Sequence, residues 1–336
     1  MTVKLADTHI HLEQYEPEQA SRMLREFQEE GGEFIVAVSM NLESARRTER
    51  LAMQAPGLVR PAYGFHPEQP LPTPEEEEAL FAWMEARAAA AGREAAEAQR
   101  GAGAGAAAPS AALSRAKPTA ADREAGESQV SAAAAAPAAL SRAEEAAASS
   151  LGSSPAPAPR MAAVGEVGLP YYSRLEAAER GETLDEAGYV RLLERFVIFA
   201  ARHDLPIVLH AVYEDADTAC DLLERHGIRR AHFHWFKGSP ATVERMITNG
   251  YFVSFTPDLL YEEEIRELAC RYPDTLVMSE TDGPWPFEGP FAGRGTHPSM
   301  TADICHEWAQ LRGIEESAAR TLLLDNARRF YAPSRD

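Results

Sequence analysis

Cysteine is almost missing from this 336-residue chain. The three that occur, Cys220, Cys270 and Cys305, are odd in number and share no paired spacing. A disulfide framework and a Cys-rich zinc site are thereby excluded, and small interior residues in a reducing cytoplasm are expected. Long apolar runs are missing as well. Nothing approaches the roughly 20 uninterrupted apolar residues of a membrane span, and the start, MTVKLADTHIHL, lacks the apolar stretch and cleavage pattern of a secretory leader. A soluble, unexported, cytoplasmic protein is the expectation. Basic residues are scarce beside acidic ones, 33 against 52, which leaves a net charge of -19. Proteins that grip long duplexes rely on clustered Lys and Arg, so no extended duplex-binding surface is expected. A local phosphate site stays open, because bound divalent cations reverse the field of a carboxylate-rich cleft.

Large apolar residues also nearly vanish between residues 87 and 160, where Ala, Gly, Ser and Pro dominate, as in GAGAGAAAPSAALSRAKP and SAAAAAPAALSRAEEAAASS. Such a segment has nothing with which to build a core. Alanine favours helix, but repeated Pro and Gly interrupt each candidate, so a disordered or weakly helical insertion is expected. It carries eight Lys or Arg and seven Asp or Glu, so about -20 of charge belongs to the remainder.

That remainder alternates short β-rich runs with amphipathic ones. Strands are expected at 5–11, 34–40, 59–66, 162–169, 206–211, 230–236, 251–257 and 275–282. Between them lie segments such as EQASRMLREFQEEG, DEAGYVRLLERFVIFAARHD and DADTACDLLERHG, whose acidic starts and Gly or basic ends suit helix termini. Eight strand-and-helix units predict a (β/α)8 barrel of parallel strands, a single domain over 1–336 interrupted by the insertion between the third helix and fourth strand. A doubly wound open sheet is the alternative. No glycine-rich phosphate fingerprint follows the first strand, which counts against it. On the barrel, the insertion leaves from the face opposite the catalytic one.

Nearly every expected strand ends in a metal-capable or acidic residue: His9 and His11, His66, Glu166, His210, His234 and Asp282. At the carboxyl ends of barrel strands these side chains would converge on one mouth. In DTHIHL the two histidines are two apart, so on a strand both face one side and can share an ion. Two ordinary polar residues are an equal reading of that motif alone. Standing alone, His210 after PIVL reads as a satisfied interior histidine, and Asp282 before GP as a turn aspartate. Glu166 inside AAVGEVGL is harder to explain away, because a buried glutamate without a metal or charged partner is costly.

Taken together, DTHIHL, GFHPE, GEVGLPYY, LPIVLH, HWFKG, SETDGP and NARRF resemble, in order and spacing, the TatD family of metal-dependent hydrolases within the amidohydrolase-like barrels. The resemblance covers the chain apart from the insertion. It implies a (β/α)8 barrel with two divalent metal ions, zinc, magnesium or manganese, that hydrolyses phosphodiester bonds in DNA. Position by position it implies that His9, His11 and Asp282 bind one ion. Glu166 bridges to a second, which His210 and His234 complete. Two ions could then acidify a water and stabilise charge on the scissile and leaving oxygens, with Asp282 as the general base. His66 is expected to face the substrate, and Asp7 and Glu280 to orient imidazoles or water. In HFHWFKG both histidines share a strand face, but His234 aligns with the ligand and His232 should lie a layer deeper.

Three departures bear on substrate. Pro170 follows GEVGL where the family usually carries aspartate, Val212 stands where many members place arginine, and Lys237 replaces a small polar residue. Trp235, Trp285, Phe287 and Phe291 are candidates for stacking on bases, for lining an apolar pocket, or for packing the mouth. Short single-stranded DNA or a small molecule is therefore the expected partner. A nuclease leads, a hydrolase of a small amide, lactone or phosphoester is the alternative, and a non-catalytic scaffold comes third.

Overall fold

Runs of Val, Ile, Phe and Ala buried on both faces are what an all-parallel sheet demands of its strands. Eight such runs form β1 (Leu5–Ile10), β2 (Gly32–Ala37), β3 (Val59–Tyr63), β4 (Ala163–Gly168), β5 (Ile207–His210), β6 (Ala231–Phe233), β7 (Phe252–Phe255) and β8 (Val277–Ser279). In the computed structural model, which describes residues 4–104 and 158–332, the strands lie side by side in sequence order and every neighbouring pair is parallel. The (β/α)8 barrel read from the sequence is the observed architecture.

Side-chain and main-chain hydrogen bonds join β1 to β8. Thr8 Oγ1 donates to Ser279 O at 3.0 Å and Ser279 Oγ to Ala6 O at 3.1 Å. Beyond them, Asp282 N donates to His9 O at 2.9 Å and His11 N to Gly283 O at 2.8 Å.

The helices are α1 (Pro17–Glu29), α2 (Leu42–Gln54), α3 (Pro74–Ala104), α4 (Tyr171–Glu179), α5 (Glu186–Arg202), α6 (Glu214–Arg225), α7 (Pro240–Asn249), α8 (Glu263–Arg271), α9 (Thr301–Arg312) and α10 (Glu316–Phe330). Their starts carry the residues that satisfy free N–H groups: Asn41 accepts from Ser44 N, Asp185 from Gly188 N and Ser239 from Thr242 N. Alternate strand residues serve two layers. Ile35, Val164, Leu209 and Phe233 pack outward with helix residues such as Phe27, Phe196, Leu223 and Met246. Phe34, Val36, Val208, Phe252 and Met278 form a separate cluster with Leu324, Ala327 and Phe330 of α10 and with Tyr331 just after it. A fully buried Phe contributes roughly 2–3 kcal/mol, so both layers are substantial.

Residues 1–94 and 158–336 form one compact unit and residues 95–157 another. α3 continues past residue 87 to Ala104, as an alanine-rich stretch can without an apolar face. The disorder expected of the insertion falls, for residues 105–157, outside the described residues.

Candidate metal centre

The whole of β4 is buried, and Glu166 in its middle has no exposure. Five imidazoles surround its carboxylate. Oε2 lies 3.1 Å from His9 Nε2 and 3.0 Å from His11 Nε2. Oε1 lies 3.4 Å from His66 Nε2, 3.0 Å from His210 Nδ1 and 2.6 Å from His234 Nε2. One oxygen thus faces the β1 pair, and the other faces histidines from the ends of β3, β5 and β6. Asp282 Oδ1 is buried and makes no hydrogen bond, at 3.4 Å from His9 Nε2 and 3.7 Å from His11 Nε2.

Two glycines permit this crowding. A Cβ on Gly168 would meet His210 O at 1.8 Å, and one on Gly64 would meet Glu166 O at 2.5 Å. Both contacts are with backbone, so neither glycine has a substitute that leaves β4 in place.

The electrostatics follow from the packing. Burial alone would raise the pKa of Glu166, but His66, His234 and His9 draw it well below the carboxylate range. Burial alone would lower the pKa of His234 and His11, yet Glu166 holds His234 well up, and Glu13 with Glu166 holds His11 at about 10. His9 and His210 are raised against burial in the same way. The rings of His9 and His234 stack 3.8 Å apart, and His210 Nδ1 approaches His234 Nε2 to 3.3 Å. Nitrogens this close are held together by protons or by a cation. The donor set, imidazole with carboxylate, suits zinc, manganese or magnesium, and ligand atoms of His9, His11 and Asp282, and of His9, Glu166 and His234, lie within 4.8 Å of one another.

A pH dependence with a definite sign follows. With the raised pKa values of His9, His11, His210 and His234, the metal-free site carries protons at pH 7, and a cation must expel them. Apparent metal affinity should therefore rise with pH until these protons are lost, at about 10 for His11. Calorimetric titrations in buffers of different ionisation enthalpy should show net proton release at pH 7. Proton uptake, or an affinity that does not change with pH, would contradict the arrangement.

His66 differs from the others. Its Nδ1 accepts from Glu68 N at 3.1 Å, so in the neutral ring the proton sits on Nε2, aimed into the site. Burial, with His210 and His11 nearby, pushes its pKa down to about 3. A neutral N–H donor results, which fits hydrogen bonding to substrate better than ligation.

Carboxylates stand behind three of the imidazoles. His11 Nδ1 is 3.8 Å from Glu13, His210 Nε2 is 3.2 Å from Glu68, and His234 Nδ1 is 3.6 Å from Glu280. Glu280 was expected from the sequence; Glu13 and Glu68 were not. Each lies two residues beyond a histidine, in HLEQ and HPE, and that spacing is the only signal the sequence carries for them. Asp7 stands apart from the cluster: it accepts from His9 N at 3.2 Å and from Thr281 N at 3.1 Å, and burial raises its pKa to about 8. It orients the backbone that carries His9 and Asp282 and touches no imidazole ring.

His232 lies on β6, two residues before His234, and is fully buried. Ser254 Oγ donates to Glu280 Oε2, which leaves its oxygen to accept from His232 Nε2–H and leaves His232 Nδ1 to accept from Tyr331 Oη at 2.8 Å. The chain Tyr331, His232, Ser254, Glu280 ends at Trp235 N, which donates to Glu280 Oε1 at 2.8 Å. His232 is neutral there, its pKa lowered well below the ordinary value by burial and by His9 and His234. If His234 is a ligand, replacing it with alanine should lower the metal content with little loss of stability. His232→Ala should cost roughly 3 kcal/mol of stability, from a cavity and stranded hydrogen bonds, and leave the metal content near that of the parent. Metal analysis and chemical unfolding of the two variants separate these effects; equal metal loss in both would refute the assignment.

At the mouth, Phe287 and Phe291 are buried with Met300, and Trp235 lies against them, its indole N–H donating to Asp258. These three pack the mouth. Of the four aromatic candidates Trp285 alone is exposed, at 56%, beside Trp235. Asp258, buried and pushed up to about 6 by burial, was not anticipated from the sequence. Val212 is buried, Pro170 precedes α4, and Lys237 lines a groove with Glu264, Glu267 and Arg271.

A parallel eight-stranded barrel whose strand ends gather histidines and carboxylates around one buried glutamate defines the class: a metal-dependent hydrolase of barrel type. The chain belongs to the TatD related DNase family, whose family model matches residues 6–94 and 90–332. It is 29% identical over 327 residues to an uncharacterised metal-dependent hydrolase of Haemophilus influenzae, covering 97% of this chain and 99% of that one. It is 28% identical over 172 residues to the human deoxyribonuclease TATDN3, covering 51% of this chain and 60% of the human protein. In fold it is similar to the crystal structure of YjjV, a TatD homologue of Escherichia coli, with a TM-score of 0.60 and 19% identity over 98% of each chain. Among the described residues no helix is long and apolar enough to cross a membrane.

Proposed function

We propose that this chain hydrolyses phosphodiester bonds in DNA, at ends or in short single strands, with two divalent cations held at the strand ends. The observation that carries the reading is the division of Glu166, one oxygen facing His9 and His11 and the other facing His210 and His234. His9, His11 and Asp282 would hold one cation and His210 with His234 the other, with Glu166 shared. When bound, the cations supply Lewis acidity towards water and the phosphoryl oxygens. Asp282, ionised and with Oδ1 free of hydrogen bonds, accepts the proton of the attacking water. His66 donates Nε2–H to a phosphoryl or leaving oxygen. Exposed Trp285 offers a face on which a base can stack.

The description of the family and the name of the human relative support DNA as substrate. The acidic balance favours short or single-stranded substrates over long duplexes. Incubating the metal-loaded protein with end-labelled single strands, duplexes and a panel of generic phosphoesters, carboxylic esters, lactones and amides tests the reading. Cleavage of labelled single strands is the expected result. Turnover confined to amides, lactones or carboxylic esters would replace this reading with the small-molecule one.

A further inference from the structure

Glu68 belongs to the loop after β3, yet its contacts lie with the next two strand-and-helix units. Its Oε1 lies 3.2 Å from His210 Nε2, at the end of β5, and accepts from Tyr172 N at 3.0 Å. Oε2 accepts from Ser173 N at 2.7 Å. Tyr172 and Ser173 are in the first turn of α4, where free N–H groups and the helix dipole favour a carboxylate.

Two histidines are set by this one residue. Its backbone N–H fixes the proton of His66 on Nε2, and its carboxylate takes the Nε2 side of His210. As a result His210 turns Nδ1 towards Glu166 and His234, whereas His9, His11 and His234 all turn Nε2 towards Glu166. Without a carboxylate behind it, nothing in these contacts would prefer Nδ1 over Nε2 as the inward nitrogen.

We propose that Glu68 is the positioning residue for His210: by accepting Nε2–H it fixes the ring so that the Nδ1 lone pair is presented to a cation. The inference rests on the two-cation reading above and names the residue that completes its second half.

The test uses the full chain loaded with zinc. Ring ¹⁵N spectra should show His210 protonated on Nε2 and bound through Nδ1. In Glu68→Ala the affinity for the second zinc should fall about 10- to 100-fold, the usual effect of removing an outer hydrogen-bond partner, while the zinc at His9, His11 and Asp282 is retained. Glu68→Gln, which still accepts from His210 and from α4, should lose less and guards against misfolding of the alanine variant. A wild-type His210 protonated on Nδ1 would overturn the inference, as would unchanged zinc affinity in Glu68→Ala or equal loss of both ions. If the wild type bound one zinc only, the two-cation reading would fall, and the ring spectrum of His210 would still decide the role of Glu68.

Discussion

Glu166→Gln should abolish the proposed hydrolysis and, on the two-cation reading, reduce bound metal from about two ions per chain to fewer than one, because a neutral amide neither shares two cations nor balances their charge. The substitution keeps shape and volume, so the barrel should remain folded. The change falls on charge alone. Five ring nitrogens lie within 3.4 Å of that carboxylate, and Glu166 is among the groups that raise His9, His11, His210 and His234. Without it the imidazoles should titrate at lower pH, and proton release on adding metal should shrink. Elemental analysis, steady-state kinetics and histidine NMR titration check each part. A variant that keeps both metals and activity within tenfold of the parent would show that Glu166 is not the shared ligand.

Asp282→Asn should lower kcat by about 10²- to 10⁴-fold, the range for a positioned general base, with stability nearly unchanged. Asparagine is the right substitution for a backbone reason. Asp282 has φ of 47°, a left-handed conformation that Asp and Asn tolerate and that alanine adopts only with strain. Alanine would thus mix a folding defect into the kinetic result. The amide keeps the hydrogen bonds of the main chain, Asp282 N to His9 O and Trp285 N to Asp282 O, while it takes up no proton at neutral pH. Kinetics beside thermal unfolding separate the two effects. Activity within tenfold of the parent would remove Asp282 from the proton-transfer step.

Left-handed backbone recurs around the mouth. Tyr213 and Trp235 share it with Asp282, and all three follow closely on a strand end. It shows why the strands were legible in the sequence and their ends were not. The expected strands at 5–11, 59–66, 230–236 and 275–282 overran β1, β3, β6 and β8, which stop at Ile10, Tyr63, Phe233 and Ser279. Burial on both faces marks a strand as a continuous apolar run. His11, His66, His234 and Asp282 stand beyond the ladders, where the chain has already turned to aim them inward.

The site was legible in layers. Convergence of ligand types at strand ends came from the residues, whereas the proposed division of ligands between two ions rests on the family resemblance. DTHIHL alone left metal binding and ordinary polarity equally open. Glu13, Glu68 and Asp258 escaped because a lone acidic residue in a loop reads as solvated. What buries each is a partner far along the chain: Ser44 for Glu13, His210 for Glu68 and Trp235 for Asp258. The aromatic mouth failed for the same reason, since its composition gave no hint that Trp285 would be exposed while Phe287 and Phe291 were buried.

The bonds between β1 and β8 also set the order in which the enzyme comes into being. Thr8 and Ser279 are 271 residues apart, and Asp7 and Thr281 are 274. During synthesis His9 and His11 are made well before Asp282 and the closing strand. The two clusters meet only after β1 and β8 have come together across most of the sequence, the kind of contact that folds slowly. A nascent or truncated chain therefore lacks the aspartate that would serve as base. On the function proposed above, hydrolysis would therefore require the closed barrel.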